Sequence, residues 1–463
     1  MAANSSNNVV QLNEVIVAMV PFYDYSHLNN LFELARFIGS HNIPVHFLCN
    51  ADRNQDLKLR VQGRLGASDI HFDDLLLPSS PIENDDTGCD SMPPVLMFLK
   101  ELREPIRKKM LELSTNAKRL VIIHDLITSE HIQDAYTLPN VKSYIFHTGS
   151  TFSRYSCLQQ SIPDIVDDDH GKLIEQMQDE FPLLEPHMKL YFRMEFELKL
   201  HSGEIINSFK EVEGKYPNLL ANVKDKPLWA FGPFHMLLES HDSISSSYSN
   251  MTSHECLKFL DKQDANSVIF VSFGSTTTLS QEQLNELALG LERSNHRFIW
   301  VLRKGDDVRK LKEKDRKIEL PEGFEERVEG RGMVVRNWAP QLEILGHSST
   351  GGFLSHCGWN SCIESISMGV PLAAWPISYD QPFNAIFVTK LLKIGISVKS
   401  WAHREELVTA STIAKAVNTL MGTTEGEEMR QRAVELSKKI KSSVSHGRPA
   451  RQEMESFISN IIK

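Results

Sequence analysis

The 463-residue sequence predicts an α/β protein made of two doubly wound, Rossmann-like domains. Three observations lead there. The length exceeds the size at which one core keeps growing, so two domains of about 200 residues each are expected. Short β-branched runs recur with helical-period stretches between them, the alternation that gives parallel sheets covered on both faces. A polar, Ser-rich stretch from Ser240 to Glu255 separates two such series and reads as a linker.

In chain order the predicted strands are Glu14–Val20, Val45–Leu48, Arg119–His124, Ser143–Phe146, Ser267–Phe273, Arg297–Leu302, Met333–Arg336 and Gly352–Ser355. After the first of them, Leu28, Leu31, Phe32, Ala35 and Ile38 keep the spacing of a buried helix face. The run from Leu228 to Pro233 closes the first series, and the second opens near Ser267. These signals place one domain over 1–245, a second over 246–445 and a final helical segment over 446–463. Sheets of this kind bind ligands beyond the carboxyl ends of their strands, and a cleft between two of them suits a two-substrate reaction.

Composition excludes several function classes. Lys and Arg number 50 against 60 Asp and Glu, a formal charge of −10, and no basic stripe marks a nucleic-acid groove. Cys49, Cys89, Cys157, Cys256, Cys357 and Cys362 are scattered without a C-x-x-C pair, so neither a zinc site nor a disulfide framework is indicated. The first thirteen residues lack Lys and Arg, and the longest apolar runs fall short of a membrane span. A soluble, cytoplasmic monomer without integral membrane association is the expectation. A dinucleotide oxidoreductase is rejected because no G-x-G-x-x-G follows a strand.

The segment from Trp338 to Gln381 carries the most information. Gly351 to Ser361 runs from a buried strand through a Gly-containing turn into a helix, and helix N-termini bind phosphates. Asn360 or Ser361 is read as the helix cap, with Ser361 and Glu364 spelling a capping box, a reading that is structural as much as functional. His356 at the strand end is placed to hydrogen-bond a pyrophosphate, and Trp338 to stack on a base. Glu364 supplies an acid on this helix of the kind that holds ribose hydroxyls.

In the first domain, Pro21 to His27 leaves the first strand, with His27 at the start of the amphipathic helix. A histidine there can take the proton of a hydroxyl, and Asp125, at the end of the strand Ile122-Ile123-His124-Asp125, can orient it. Asp24 is read as a solvated turn residue. Asp167-Asp168-Asp169 matches the Asp-x-Asp pattern of metal-dependent transferases but is read as a solvated charge run, so no metal is assigned.

From Trp338 to Gln381 the chain resembles the signature box of plant family 1 UDP-dependent glycosyltransferases over its full span. His124-Asp125, Ser361 to Ser365 and the C-terminal Phe457 to Lys463 most resemble the zeatin O-glycosyltransferase branch. The resemblance implies a GT-B fold, its two domains facing across a cleft. It further implies inverting, metal-independent transfer of sugar from a UDP-sugar co-substrate to a small lipophilic acceptor, a cytokinin or a flavonoid-like phenolic. Trp338 would stack on uracil, Ala339 and Gln341 would hold the base edge and ribose, and Glu364 would grip the ribose hydroxyls. His356, Asn360, Ser361 and Ser275 would contact the diphosphate, and Trp359, Asp380 and Gln381 would line the sugar. Trp359 with Gln381 favours UDP-glucose, with UDP-xylose and C-glycosylation as alternatives.

The family's Gly-His-x-x-Pro context is replaced around His27 by Ser26 and Asn30, which keeps open a catalytically silent UDP-sugar-binding protein. Phe22, Tyr23, Tyr25, Thr148, Phe152, the aromatics of Leu190 to Phe196, and Tyr379 are candidate acceptor-lining residues, and each would serve equally as packing. The last helix, apolar at Met454, Phe457, Ile458, Ile461 and Ile462, would cross back to the first domain in this fold.

Overall fold

The computed structural model describes residues 12–60, 70–75, 94–177, 180–197, 201–224, 226–236, 254–275, 277–302, 319–445 and 447–463. The predicted linker lies outside them except for its last two residues, and so do the expected domain bounds at 245 and 446. The chain forms two compact units. The first comprises Met1–His147, Leu200–Ile205 and Met454–Lys463, and the second comprises Thr148–Lys199 and Ile206–Glu453.

Thirteen strands are described. Seven form one sheet: β1 (Asn13–Val20), β2 (Val45–Asn50), β3 (Ile70–Leu75), β4 (Ala117–Asp125), β5 (Val141–His147), β6 (Gly203–Asn207) and β7 (Leu228–Phe231), in the order β3-β2-β1-β4-β5-β6-β7. Six form the other: β8 (Val268–Ser272), β9 (Arg297–Val301), β10 (Gly332–Val335), β11 (Thr350–Ser355), β12 (Leu372–Ala374) and β13 (Gly395–Ser397), in the order β10-β9-β8-β11-β12-β13. The strand pairs are parallel, for instance β1 with β4 and β8 with β11. Both orders reverse direction beside their first strand, the switch point where doubly wound sheets bind ligands. Val20 lies opposite His124 and Ser272 opposite Ser355, so in each unit two loops leave the sheet side by side.

Alternation along the strands explains the cores. In the second unit Val268, Phe270, Ile299 and Phe353 join a cluster on one face of the sheet. Their neighbours Ile269, Val271, Phe298, Trp300 and Leu354 join a cluster on the other. A strand buried on both faces must be apolar at every position, which is why these runs lack the half-polar alternation of a surface strand. Phe353 is fully buried and stacks on Phe270 with ring centroids 5.0 Å apart. Phe353→Ala is expected to cost about 3–5 kcal/mol in denaturant unfolding, the usual penalty for emptying an aromatic site.

The first unit follows the same logic. Leu28, Leu31, Phe32, Ala35 and Ile38 are all buried on helix Tyr25–Gly39, and Phe32 packs edge-on to Phe47 at 6.1 Å. Helix Pro449–Ile462 buries Met454, Phe457 and Ile461. Asn460 donates to the Tyr144 hydroxyl at 2.8 Å, and Phe457 meets the Tyr144 ring edge-on at 5.6 Å. No helix among the described residues is long and apolar enough to cross a membrane.

Candidate active site

In the first unit the switch point holds a histidine and a carboxylate. Asp24 caps helix Tyr25–Gly39 through its carbonyl, which accepts the His27 and Leu28 N–H groups, so His27 sits in the first turn beside the end of β1. Asp125 is the last residue of β4. His27 Nδ1 lies 2.5 Å from Asp125 Oδ2, while Asp125 Oδ1 accepts the Ile127 N–H at 3.0 Å. Asp125 is 2% exposed and doubly held, so its carboxylate is placed to orient the imidazole through Nδ1. Phe22 meets the His27 ring edge-on at 5.3 Å, and Phe22 and Tyr23 are both buried. Tyr25 is engaged elsewhere, with its hydroxyl on Asp56 and the Arg53 guanidinium over its ring.

In the second unit the switch point is lined by Phe273-Gly274-Ser275 after β8 and by His356 after β11. Gly274 has φ +79°, and a Cβ there would come within 2.6 Å of His356 Nε2. A Cβ on Gly358 would meet the same nitrogen at 2.6 Å. The imidazole is therefore clamped between two glycine backbones. Its Nδ1 is buried without a described hydrogen bond, and burial pushes the pKa down to about 4, so the ring is neutral near pH 7. Cys357 between them adopts φ +64°.

The helix after this turn corrects the capping expectation. It spans Trp359–Met368 with Gly358 as N-cap, and no side chain caps it. Asn360 and Ser361 lie inside the first turn, because the chain enters the helix three residues earlier than a Ser-x-x-Glu box at Ser361 requires. A first turn left without a side-chain cap is a ready anion site. Ser361 instead joins a network around Gln341, the first residue of helix Gln341–Gly346. Gln341 Nε2 donates to Ser361 Oγ at 3.1 Å and to Glu364 Oε2 at 2.8 Å. Burial raises the Glu364 pKa to about 7, against the opposing Gln341 hydrogen bond. Trp338 is 50% exposed beside the half-buried Ala339, and the His254 ring stands edge-on to it at 6.1 Å.

Beyond β12 the chain turns through Tyr379, which has φ +56° and is exposed, into helix Gln381–Ile386. Gln381 is buried, and its Oε1 accepts the Ile377 and Ser378 N–H groups, each at 2.9 Å, which leaves its amide NH₂ as the donor end. Asp380 accepts from Asn384 Nδ2 at 2.9 Å. Trp359 is 3% exposed and donates its indole N–H to the Asn207 carbonyl at 2.8 Å, so that group is already spent on anchoring the helix.

Thr148 is half-buried just beyond β5. The side chain of Phe196 lies outside the described residues. Phe152 is core packing, with Tyr216 at 4.9 Å and Phe387 at 5.3 Å. Asp167 accepts the His170 N–H at 2.8 Å and Lys215 Nζ at 2.6 Å, so it caps helix Asp168–Met177 and carries an ion pair. Among the described residues no group of three or more His, Cys, Asp or Glu could hold a metal ion. Sequence reasoning missed Gly274 and Gly358 as the clamp on His356, and it missed Asn384. The last had a signal, since it stands one helical turn after Asp380.

Residues 13–236 match the glycosyltransferase N-terminal domain, and residues 188–441 match the UDP-glucoronosyl and UDP-glucosyl transferase model. The chain belongs to the UDP-glycosyltransferase family. This UDP-glycosyltransferase is 43% identical to a zeatin O-glucosyltransferase of Phaseolus lunatus, over 100% of both chains. It is also 43% identical to a zeatin O-xylosyltransferase of Phaseolus vulgaris, over 97% of this chain and 98% of that one. Phytolacca americana UGT2, solved with UDP-2fluoro-glucose and pterostilbene, is similar with a TM-score of 0.75 at 29% identity, covering 97% of this chain and 99% of that chain. The fold is GT-B, with two Rossmann-like units.

Proposed function

We propose that this UDP-glycosyltransferase moves glucose from UDP-glucose to a hydroxyl of a small lipophilic plant acceptor, with zeatin as the first choice and phenolics next. The observation that carries the reading is that His27 and Asp125 meet at the switch point of one sheet, while Ser275, His356 and the first turn of helix Trp359–Met368 follow the two strands that flank the switch point of the other. His27, held by Asp125, takes the acceptor proton through Nε2, and the acceptor oxygen attacks the anomeric carbon opposite the departing UDP. The sugar–phosphate bond breaks as the new glycosidic bond forms, and the configuration inverts. Charge on the leaving diphosphate is met by the first turn of helix Trp359–Met368, His356, Ser361 and Ser275. Trp338 stacks on uracil beside Ala339, Gln341 and Glu364 hold the ribose, and Asp380 and Gln381 hold the sugar. The formed His27–Asp125 pair favours an active enzyme over a silent binding protein. The protein works as a cytosolic monomer without a metal.

The chain is equally similar to a glucosyl- and a xylosyltransferase, so a direct contest between the two donors tests the sugar. Competition between UDP-glucose and UDP-xylose is expected to give mainly the hexoside; a pentoside as the main product would reverse the donor assignment. Chelation tests the metal-free mechanism: turnover is expected to be unchanged in EDTA, and loss restored by manganese would refute it.

Glu364 gives a pH prediction. With its pKa raised to about 7 the carboxyl is half protonated at neutral pH, and ribose hydroxyls donating to it favour the ionised form. Binding of UDP-glucose at pH 7 is therefore expected to release protons, seen as a buffer-dependent heat in calorimetry. Affinity should rise with pH through about 7 and then level. For the free protein the sign is opposite. A raised carboxyl pKa means stability present at low pH is lost as pH rises through about 7. Glu364→Gln is expected to raise the unfolding midpoint at pH 8, to do so far less at pH 5, and to abolish the proton release.

A further inference from the structure

We infer that Asn384 is a positioning residue that fixes the sugar-holding carboxylate, the diphosphate turn and the start of helix Thr151–Ser161 through one amide. The inference rests on the donor site proposed above and concerns only the second unit. Asn384 is fully buried. Its Nδ2 donates to Asp380 Oδ2 at 2.9 Å and to the Cys357 carbonyl at 3.0 Å, and its Oδ1 accepts the Ser150 hydroxyl at 2.8 Å. Both amide N–H groups and the carbonyl are thus used, each on a different segment of the chain.

Each of the three partners needs holding. Cys357 sits at φ +64°, a conformation that a non-glycine residue keeps only when its surroundings impose it, and it lies between His356 and Gly358. Its N–H is fixed on Ser355 Oγ at 3.1 Å and its carbonyl on Asn384, so the turn that aims His356 is pinned from both sides. Asp380 stands at the start of helix Gln381–Ile386, and its carboxylate is backed by Gly149, where a Cβ would come within 3.4 Å of Oδ2. Ser150 is buried and caps helix Thr151–Ser161 by accepting the Ser153 N–H at 3.0 Å. The buried carboxylate of Glu213 accepts the next two N–H groups, Thr151 at 3.0 Å and Phe152 at 2.8 Å. The segment carrying Thr148 is thereby fastened to the residue that holds Asp380.

Only a primary amide of this length donates twice and accepts once in these directions. Alanine loses all three bonds. Aspartate keeps the shape but sets two carboxylates against each other, and the pair regains a shared proton only as the pH falls.

The test is calorimetric binding of UDP and UDP-glucose to wild type, Asn384→Ala, Asn384→Asp, Asp380→Ala and the Asp380→Ala/Asn384→Ala double variant. Asn384→Ala is expected to weaken UDP-glucose by about 10-fold, the worth of a hydrogen bond to a charged group, and UDP by less than about 3-fold. The double variant should lose no more of the preference for UDP-glucose over UDP than Asp380→Ala alone. Asn384→Asp, which preserves packing should alanine fail to fold, should show the same selective loss at pH 8 and recover part of it at pH 5. Equal losses for the two ligands, no loss, or additive loss of that preference in the double variant would overturn the inference. An Asp380→Ala protein that keeps the wild-type preference for UDP-glucose would instead remove Asp380 from the sugar site, and the positioning role with it. If Asp380→Ala loses that preference while Asn384→Ala does not, the donor site stands and only the role of Asn384 fails.

Discussion

His27→Ala is expected to lower turnover by at least about 10²-fold while leaving UDP affinity unchanged, because general-base catalysis supplies rate and not nucleotide binding. The prediction follows from a pair in which Asp125 is 2% exposed and 2.5 Å from Nδ1. Asp125→Asn should lose nearly as much, since an amide facing Nδ1 favours the tautomer that puts the proton on the catalytic nitrogen. Steady-state kinetics beside UDP calorimetry checks both. An alanine variant with wild-type turnover would mean another group takes the acceptor proton.

His356→Ala is expected to lower kcat by about 10²-fold, the usual cost of one donor to a developing oxyanion, with a smaller loss in UDP-glucose affinity. The ring has little freedom to be replaced by a neighbour, because Gly274 and Gly358 close on it from two sides. For the same reason Gly274→Ala should reproduce much of the defect: its methyl would come within 2.6 Å of Nε2, at a φ of +79° that alanine disfavours. A pKa near 4 in the free protein makes the ring a neutral hydrogen-bond donor at pH 7. Glutamine at position 356 should therefore recover activity better than lysine. Superiority of lysine would show that charge, and not a placed N–H, is what the diphosphate needs.

Much of this was legible in the sequence. Runs such as Ser267–Phe273 and Gly352–Ser355 are apolar on both faces, so their place in a buried parallel sheet follows from composition alone, and all eight predicted strands are found. The strands that escaped are short or polar. β12 and β13 have three residues each, too few to show a period. β3, Ile70–Leu75, is the last strand of its sheet, where His71, Asp73 and Asp74 are tolerated. His27 and Asp125 were visible as residue types at strand ends, but their 98-residue separation gives no local signal that they meet. The clamp on His356 was hidden for a similar reason, since Gly274 and Gly358 lie on different strands' loops and share only a point in space. Ser361 was misjudged as a cap because a Gly N-cap leaves no side-chain mark in the sequence.

The most direct test of the account is turnover of purified protein, followed by mass spectrometry, crossing UDP-glucose and UDP-xylose with trans-zeatin, flavonoids and simple phenols, with His27→Ala as the control. A hexosylated O-linked product is expected from UDP-glucose with at least one of these acceptors, and it should nearly disappear in the variant. No glycoside from any pair, with UDP still bound, would contradict it.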